Sequence, residues 1–255
     1  MRLLVLCLLC CLPLHSLLAQ PLCTSPLRVG FDDWPPYHYY QQENGHRELR
    51  GFAVDYLNAV SARLGCRLVY LERPWKRGLH DLEQGRLDIA MEAYFVEDRA
   101  RYAWFSNAYN PGRTALWVRK SGDKGEQDLA SWLAKGNRLG VTRDYNYGPE
   151  IARLLQRYRA QVSEVNDVQN YRKLQLGRID GFLGDILATP WGLKREGLAE
   201  EVVPHIMGVY ETPTFFMLSK KTLSGEFVQR FNQALEAVGK SEEHALIWRR
   251  YLPAR

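Results

Sequence analysis

The sequence predicts a two-lobed α/β protein, and two observations carry that reading. The heptapeptide LEQGRLD at Leu82–Asp88 recurs as LQLGRID at Leu174–Asp180, each time reading as a helix end, a glycine stop and the start of a buried strand. Upstream of the two copies, Arg28-Val-Gly30 and Arg138-Leu-Gly140 open comparable strands, each followed by an aromatic loop and then an amphipathic helix. A chain that runs through one plan twice builds two halves.

In the first half, Leu27–Phe31 reads as a strand, residues 32–50 as a long loop, and Phe52–Leu64 as a helix with Phe52, Tyr56, Leu57, Val60 and Leu64 on one face. Cys66–Glu72 alternates as a strand does. Trp75 heads a helix that stops near Gly85. A buried strand follows with Leu87, Ile89 and Met91 inward, then an aromatic turn at Tyr94 and Phe95 and an acid-rich helix start over Glu97, Asp98 and Arg99. Thr114–Val118 reads as the strand leaving this half, and residues 121–126 as a polar linker. The second half has helices near Leu129–Ala134, Pro149–Tyr158, Val168–Leu176 and Ile186–Arg195, and strands near Arg138–Val141, Gln161–Val165 and Ile179–Leu183. Thr212–Ser219 reads as the return crossing, followed by amphipathic helices over Phe227–Val238 and His244–Tyr251. The expected division is residues 20–115 with 216–255 in one lobe and 116–215 in the other; two crossings between lobes make a hinge.

Residues 1–19 have the layout of a secretory signal peptide: Arg2, an apolar run from Leu3 to Leu14, and a small residue, Ala19, before the expected mature start at Gln20. The run is too short to span a bilayer comfortably. No small residue precedes Cys10, Cys11 or Cys23 as a lipoprotein signal requires, which favours a soluble exported chain over a lipid-anchored one. The net charge of +5 comes without a block of like charges, which argues against nucleic acid as a partner. Of the five cysteines, Cys7, Cys10 and Cys11 leave with the leader. Cys23 and Cys66 remain, beside strands expected to be neighbours in a parallel sheet, and in an oxidising compartment they suggest one bridge. Two free buried thiols are the alternative.

Catalytic patterns are missing from the sequence. It has no Gly-x-Ser-x-Gly, no Gly-x-Gly-x-x-Gly, no phosphate loop and no His-Glu-x-x-His, and its histidines are scattered without metal-ligand spacing. No metal and no cofactor are expected. Carboxylate pairs, Asp32 with Asp33 or Glu92 with Asp185 across a cleft, leave acid–base chemistry open.

Several ordered motifs carry a resemblance: Gly51-Phe-Ala-Val-Asp-Tyr-Leu57, Trp75, the helix end Leu82–Gly85, Asp88, Glu97-Asp-Arg99, and Phe105-Ser106 to Tyr109. From about Leu27 to the C-terminus the chain resembles the periplasmic amino-acid-type solute-binding proteins, family 3, of ABC transporters. The resemblance implies a type II periplasmic binding protein-like fold, a monomer, with the C-terminal helices packing back on the first lobe. It also implies that a small polar or zwitterionic solute is bound by hinge closure and delivered to a membrane permease or a sensor. Some exported enzymes, cyclohexadienyl dehydratases among them, have this fold, so a lyase is the alternative reading, as is ligand sensing without transport.

Candidate site residues follow from position and from the family. Arg99, just beyond a strand's carboxyl end, offers a planar fork for a carboxylate; an exposed ion pair with Glu97 or Asp98 is the plainer reading. Asp185 would receive a ligand ammonium from the other lobe, or simply cap the helix after it. Trp34 and Tyr37, beside Pro35-Pro36, and Trp75 and Tyr94 would form aromatic walls; for Trp34 and Tyr37 core packing is the competing reading. Arg77 could reach the ligand or pair with Glu72 or Asp81. Glu92 could meet a cationic group or be solvated at the mouth. Typical family members carry small hydroxyl residues before the arginine, whereas this chain reads Met91-Glu-Ala-Tyr-Phe-Val96, and the second-lobe turn from Thr142 to Gly148 is bulky, with Tyr145 and Asn146 facing the expected cleft. A pocket so changed would favour a flatter, modified or aromatic guest beside ordinary polar amino acids.

Overall fold

A computed structural model describes residues 22–251 apart from 44, 123, 124 and 144, so the leader read at residues 1–19 lies outside the described residues. The first half runs β1 (Leu27–Phe31), β2 (Tyr39–Glu43), β3 (His46–Arg50), α1 (Phe52–Leu64), β4 (Leu68–Glu72), α2 (Trp75–Glu83), β5 (Ile89–Tyr94), α3 (Glu97–Ala100) and β6 (Ala103–Phe105). Next come β7 (Arg113–Arg119), α4 (Leu129–Ala134), β8 (Leu139–Thr142), α5 (Gly148–Arg157), β9 (Val162–Val165), α6 (Asp167–Gln175), β10 (Gly181–Asp185), α7 (Ala188–Arg195) and β11 (Val202–Glu211). The chain then returns through β12 (Thr214–Ser219) and closes with α8 (Gly225–Gly239) and α9 (Glu242–Tyr251).

Each half is built on a five-stranded mixed sheet, ordered β4-β1-β5-β12-β6 in the first and β11-β7-β10-β8-β9 in the second. β1 pairs in parallel with β4 and β5, and β8 in parallel with β9 and β10. The sequence echo has a structural cause. Arg28 donates from its backbone amide and guanidinium to Asp88, at 2.7 to 2.9 Å, and to the Gly85 carbonyl at 2.8 Å. Arg138 makes the same set of bonds to Asp180 and to the Gly177 carbonyl. The clamp ties β1 to the start of β5 in the first lobe and β8 to the start of β10 in the second.

Helix α1 starts at Gly51, where φ is 142° and a β-carbon would lie 2.1 Å from the Tyr37 carbonyl oxygen, so that only glycine fits there. It ends at Gly65 in the left-handed conformation. Phe52, Tyr56, Leu57 and Val60 are buried in a core shared with Phe31, Phe227, Phe231, Leu235, Ile247 and Tyr251, so α8 and α9 do pack back on the first lobe. A disulfide joins Cys23 to Cys66, beside the parallel pair β1 and β4.

Three readings of the sequence are corrected. Residues 32–50 are not one long loop: Tyr39–Glu43 and His46–Arg50 form an antiparallel hairpin. The Asn-Gly pair at 44–45 is the hairpin signal, with Gly45 at φ 79°. The strand over Thr114–Val118 does not end the first half. It is part of β7, which pairs with β10 and β11 in the second sheet. The short β6 and the long β11 were legible only as unassigned segments, because neither alternates cleanly. The crossings are therefore Tyr109–Gly112 and Thr212–Pro213, which run side by side through bonds between Thr212 and the Gly112 carbonyl and between Thr214 and the Asn110 carbonyl, both 2.9 Å.

Candidate functional site

Strand ends from both sheets open on one cleft, as the connectivity of open α/β sheets requires. The cleft holds a cavity of about 440 Å³. Asp32, Asp33, Trp34 and His38 enter it after β1, Trp75 and Lys76 from the start of α2, Met91, Glu92 and Tyr94 from β5, and Arg99 from α3. The second lobe contributes Arg143 and Tyr145 after β8 and Asp167 at the start of α6. A smaller adjoining cavity of about 130 Å³ is lined by Asp33, Trp34, Tyr145 and Asp167 again, and additionally by Tyr171, Asp185, Thr189 and Arg195. Trp34 and Tyr145 meet edge to face between the two, with centroids 5.9 Å apart.

The lobes touch around these spaces. Tyr145 packs on Tyr94 as well as Trp34, Tyr39 on Trp191, Asn146 donates to the Phe95 carbonyl at 3.2 Å, and Arg195 pairs with Asp33 at 3.6 Å. This is a closed arrangement.

Of the residues expected from sequence, Arg99, Trp34, Trp75, Tyr94, Glu92 and Tyr145 line the larger cavity. The Arg99 guanidinium lies 5.5 Å from the centroid of the Trp75 ring, a cation–π placement that holds it toward the cavity. Asp98, one of its proposed partners, pairs with Arg101 instead. Tyr37 is not a wall: it is 1% exposed and packed in the first-lobe core, so its core-packing reading prevails. Arg77 stays outside the cavity, exposed and paired with Asp81 at 3.2 Å, because α2 turns it back along its own helix. Asn146 does not line the cavity either; its amide joins the lobes at the rim.

Asp185 lines the smaller cavity and not the larger one. Its Oδ1 accepts from the Leu187 and Ala188 amides at 2.8 and 2.7 Å, at the entry to α7, and its Oδ2 accepts from the Tyr37 hydroxyl at 2.9 Å. Burial pushes its carboxyl up to about 6 despite those donors. Glu92 is not solvated at the mouth: it is 5% exposed, and it is the chain's non-glycine residue at positive φ, 51°, among the described residues. Its carboxylate accepts from Tyr109 and, at 2.9 and 2.7 Å, from Asn110 and Thr214, so it ties the first crossing to the start of β12, which directly follows the second. Burial raises it to about 7. Sequence reading missed Asp167, Arg143, His38 and Lys76; Asp167 follows the carboxyl end of β9, a position the strand-end rule would have flagged.

Two α/β lobes joined by paired crossings and closed on a charged, aromatic cavity define a solute-binding protein of the hinged, two-lobed class. Residues 27–254 match the bacterial extracellular solute-binding proteins, family 3, and the chain belongs to that family. An arginine-binding periplasmic protein of Mannheimia haemolytica is 23% identical over 230 residues, covering 86% of this chain and 87% of that one. The L-cystine-binding protein TcyA of Bacillus subtilis is 27% identical over 214 residues, covering 82% and 75% respectively. Among solved structures, an ancestral arginine-binding protein bound to arginine superposes with a TM-score of 0.70 at 23% identity, over 90% of this chain and 99% of that one, which establishes the shared fold.

Proposed function

We propose that the protein binds a small zwitterionic amino-acid-type solute in the larger cavity, exported to the periplasm as a monomer and closing its lobes on the guest. It then presents that guest to an ABC permease or a sensor in the membrane. The observation that carries this reading is the cavity itself: about 440 Å³, within the range of small-molecule sites, lined by Arg99 from one lobe and by Tyr145 and Asp167 from the other. The Arg99 fork takes the carboxylate, while Trp34, Trp75, Tyr94 and Tyr145 enclose the rest. A guest touching both lobes favours the closed form, since that form alone presents both sets of contacts. Micromolar binding requires about 8 kcal/mol, within reach of one bidentate ion pair, a second charge contact and aromatic packing. That the matched relatives are named for amino acids supports the ligand class, and their being binding proteins favours binding over turnover.

The test is a thermal-shift and calorimetric screen of amino acids and aromatic acids against the wild type and Arg99→Ala. Expected is a ligand that raises the melting temperature and loses about 30-fold or more in affinity in the variant, whose own unliganded melting temperature is unchanged. Undiminished affinity rejects the role of Arg99. Mass spectrometry of the same mixtures decides the lyase alternative, since a binding protein returns its ligand unaltered.

A further inference from the structure

Resting on that reading, we infer that His38 receives a hydrogen bond from the guest's side chain at Nε2, which narrows the ligand class to amino acids whose side chain carries an uncharged N–H or O–H donor.

The loop after β1 fixes the ring. The Trp34 amide donates to the His38 carbonyl at 2.8 Å and the His38 amide to the Trp34 carbonyl at 3.1 Å, so the loop closes on itself. His38 is 3% exposed, and it lines the larger cavity together with Arg99. Its Nδ1 lies 2.6 Å from the carbonyl oxygen of Asp32, a group that can only accept, so Nδ1 carries the hydrogen. Burial holds the imidazole below its ordinary range and outweighs the pull of Asp32, whose carboxylate stands 3.8 Å from Nδ1. The ring is therefore uncharged near neutral pH, and Nε2 is an acceptor. No described residue donates to Nε2, and the atom is not sealed in the core. The other space that His38 borders is about 10 Å³, enough for one water at most, which leaves the larger cavity as the place from which a donor can come.

An acceptor so placed selects against what lacks a donor. An apolar side chain pressed on Nε2 leaves it desolvated and unpaired, whereas an amide or a phenol satisfies it, and a site built in this way discriminates more sharply than an apolar pocket does. Ammonium and guanidinium groups are drawn instead to the carboxylates of Asp32, Asp33 and Asp167, which line the same cavity, because charge-assisted bonds are the stronger ones. The imidazole is left for an uncharged donor.

The experiment is calorimetry of L-tyrosine against L-phenylalanine, of L-glutamine against L-methionine, and of L-arginine, on wild type, His38→Asn, His38→Gln and Arg99→Ala, with the melting temperature of each unliganded variant. Asparagine keeps a donor for the Asp32 carbonyl and is too short to stand in for Nε2; glutamine reaches the Nε2 position and gives up the bond to Asp32. Expected in wild type is a preference of about tenfold or more for the donor-bearing member of at least one pair. His38→Asn should bring that preference within about threefold at an unchanged melting temperature, while His38→Gln should keep it and melt lower. A purely structural role for His38 gives the reverse pattern. The inference is overturned by the absence of a preference in wild type, by a preference that survives in His38→Asn or is lost equally in His38→Gln, or by failure of all four paired probes to bind. The underlying reading is judged separately: it stands if any probe, L-arginine included, binds wild type and loses about 30-fold or more in Arg99→Ala. If no probe binds, or Arg99→Ala binds normally, that reading fails and the inference with it.

Discussion

The Tyr37 hydroxyl donates a 2.9 Å hydrogen bond to Asp185, joining residues 148 apart in sequence, one in each lobe. Both are buried, so water does not replace the donor when it is removed. Tyr37→Phe keeps the ring in the first-lobe core and deletes that one bond. Expected is a loss of about 1–3 kcal/mol in urea unfolding, together with a larger radius of gyration for the unliganded protein as the lobes lose a contact. Unchanged stability would deny the bond any part in holding the lobes together.

The buried carboxyl of Glu92 gives the fold a pH dependence of unusual sign for an acid. Burial raises it from an ordinary 4.5 to about 7, so between those values the folded protein holds a proton that the unfolded chain releases. Stability from this group is therefore complete below about pH 4.5 and declines as pH rises toward 7, by about 3 kcal/mol in total. Asp185, raised to about 6, acts in the same direction over a lower window. Denaturant unfolding across pH 4.5 to 7.5 should show falling stability, and Glu92→Gln should flatten the slope. A slope that rises across that window, or one untouched by the substitution, refutes the assignment.

How much of this was legible in the chain depends on whether the partners are near in sequence. The Arg28 and Asp88 clamp and its twin at Arg138 and Asp180 left a visible echo because each clamp repeats a whole motif. Positions at strand ends, Trp34, Trp75, Tyr94 and Arg99, could be aimed at a cleft from periodicity and resemblance together. The environments of Tyr37, Glu92 and Asp185 could not. Glu92 is defined by Asn110 on the first crossing and Thr214 just after the second, and no local pattern announces that these segments meet around a carboxylate. Asp167 escaped because Asn166 beside it carries the capping signal, and a second acid there reads as an ordinary first-turn charge.

The Cys23 and Cys66 bridge closes a separation of 43 residues. In the chain-entropy account a loop of this length stabilises the fold by about 4 kcal/mol. Reduction should lower the melting temperature, and Cys23→Ser with Cys66→Ser should reproduce that loss without changing ligand affinity, because the bridge sits at the far edge of the first lobe's β1 and β4 pair. Two titratable thiols in unreduced, denatured protein would contradict the bridge.

Tyr145 is the ring on which the division of the cleft depends. It contacts Trp34 and Tyr94 on the opposite lobe and separates the cavity that holds Arg99 from the one that holds Asp185. Its ring meets that of Tyr147, whose hydroxyl accepts from the Thr142 amide at 2.7 Å. Tyr145→Ala should merge the two cavities, remove about 0.5–1.5 kcal/mol of interlobe ring contact for each pair lost, and weaken a snugly held amino acid by about tenfold. The same change should improve the relative affinity for longer guests, since the wall that limits them is gone. Calorimetry with L-arginine and with arginine-containing dipeptides reads both effects at once; equal losses for short and long guests would mean that Tyr145 contributes adhesion between the lobes and sets no limit on ligand length.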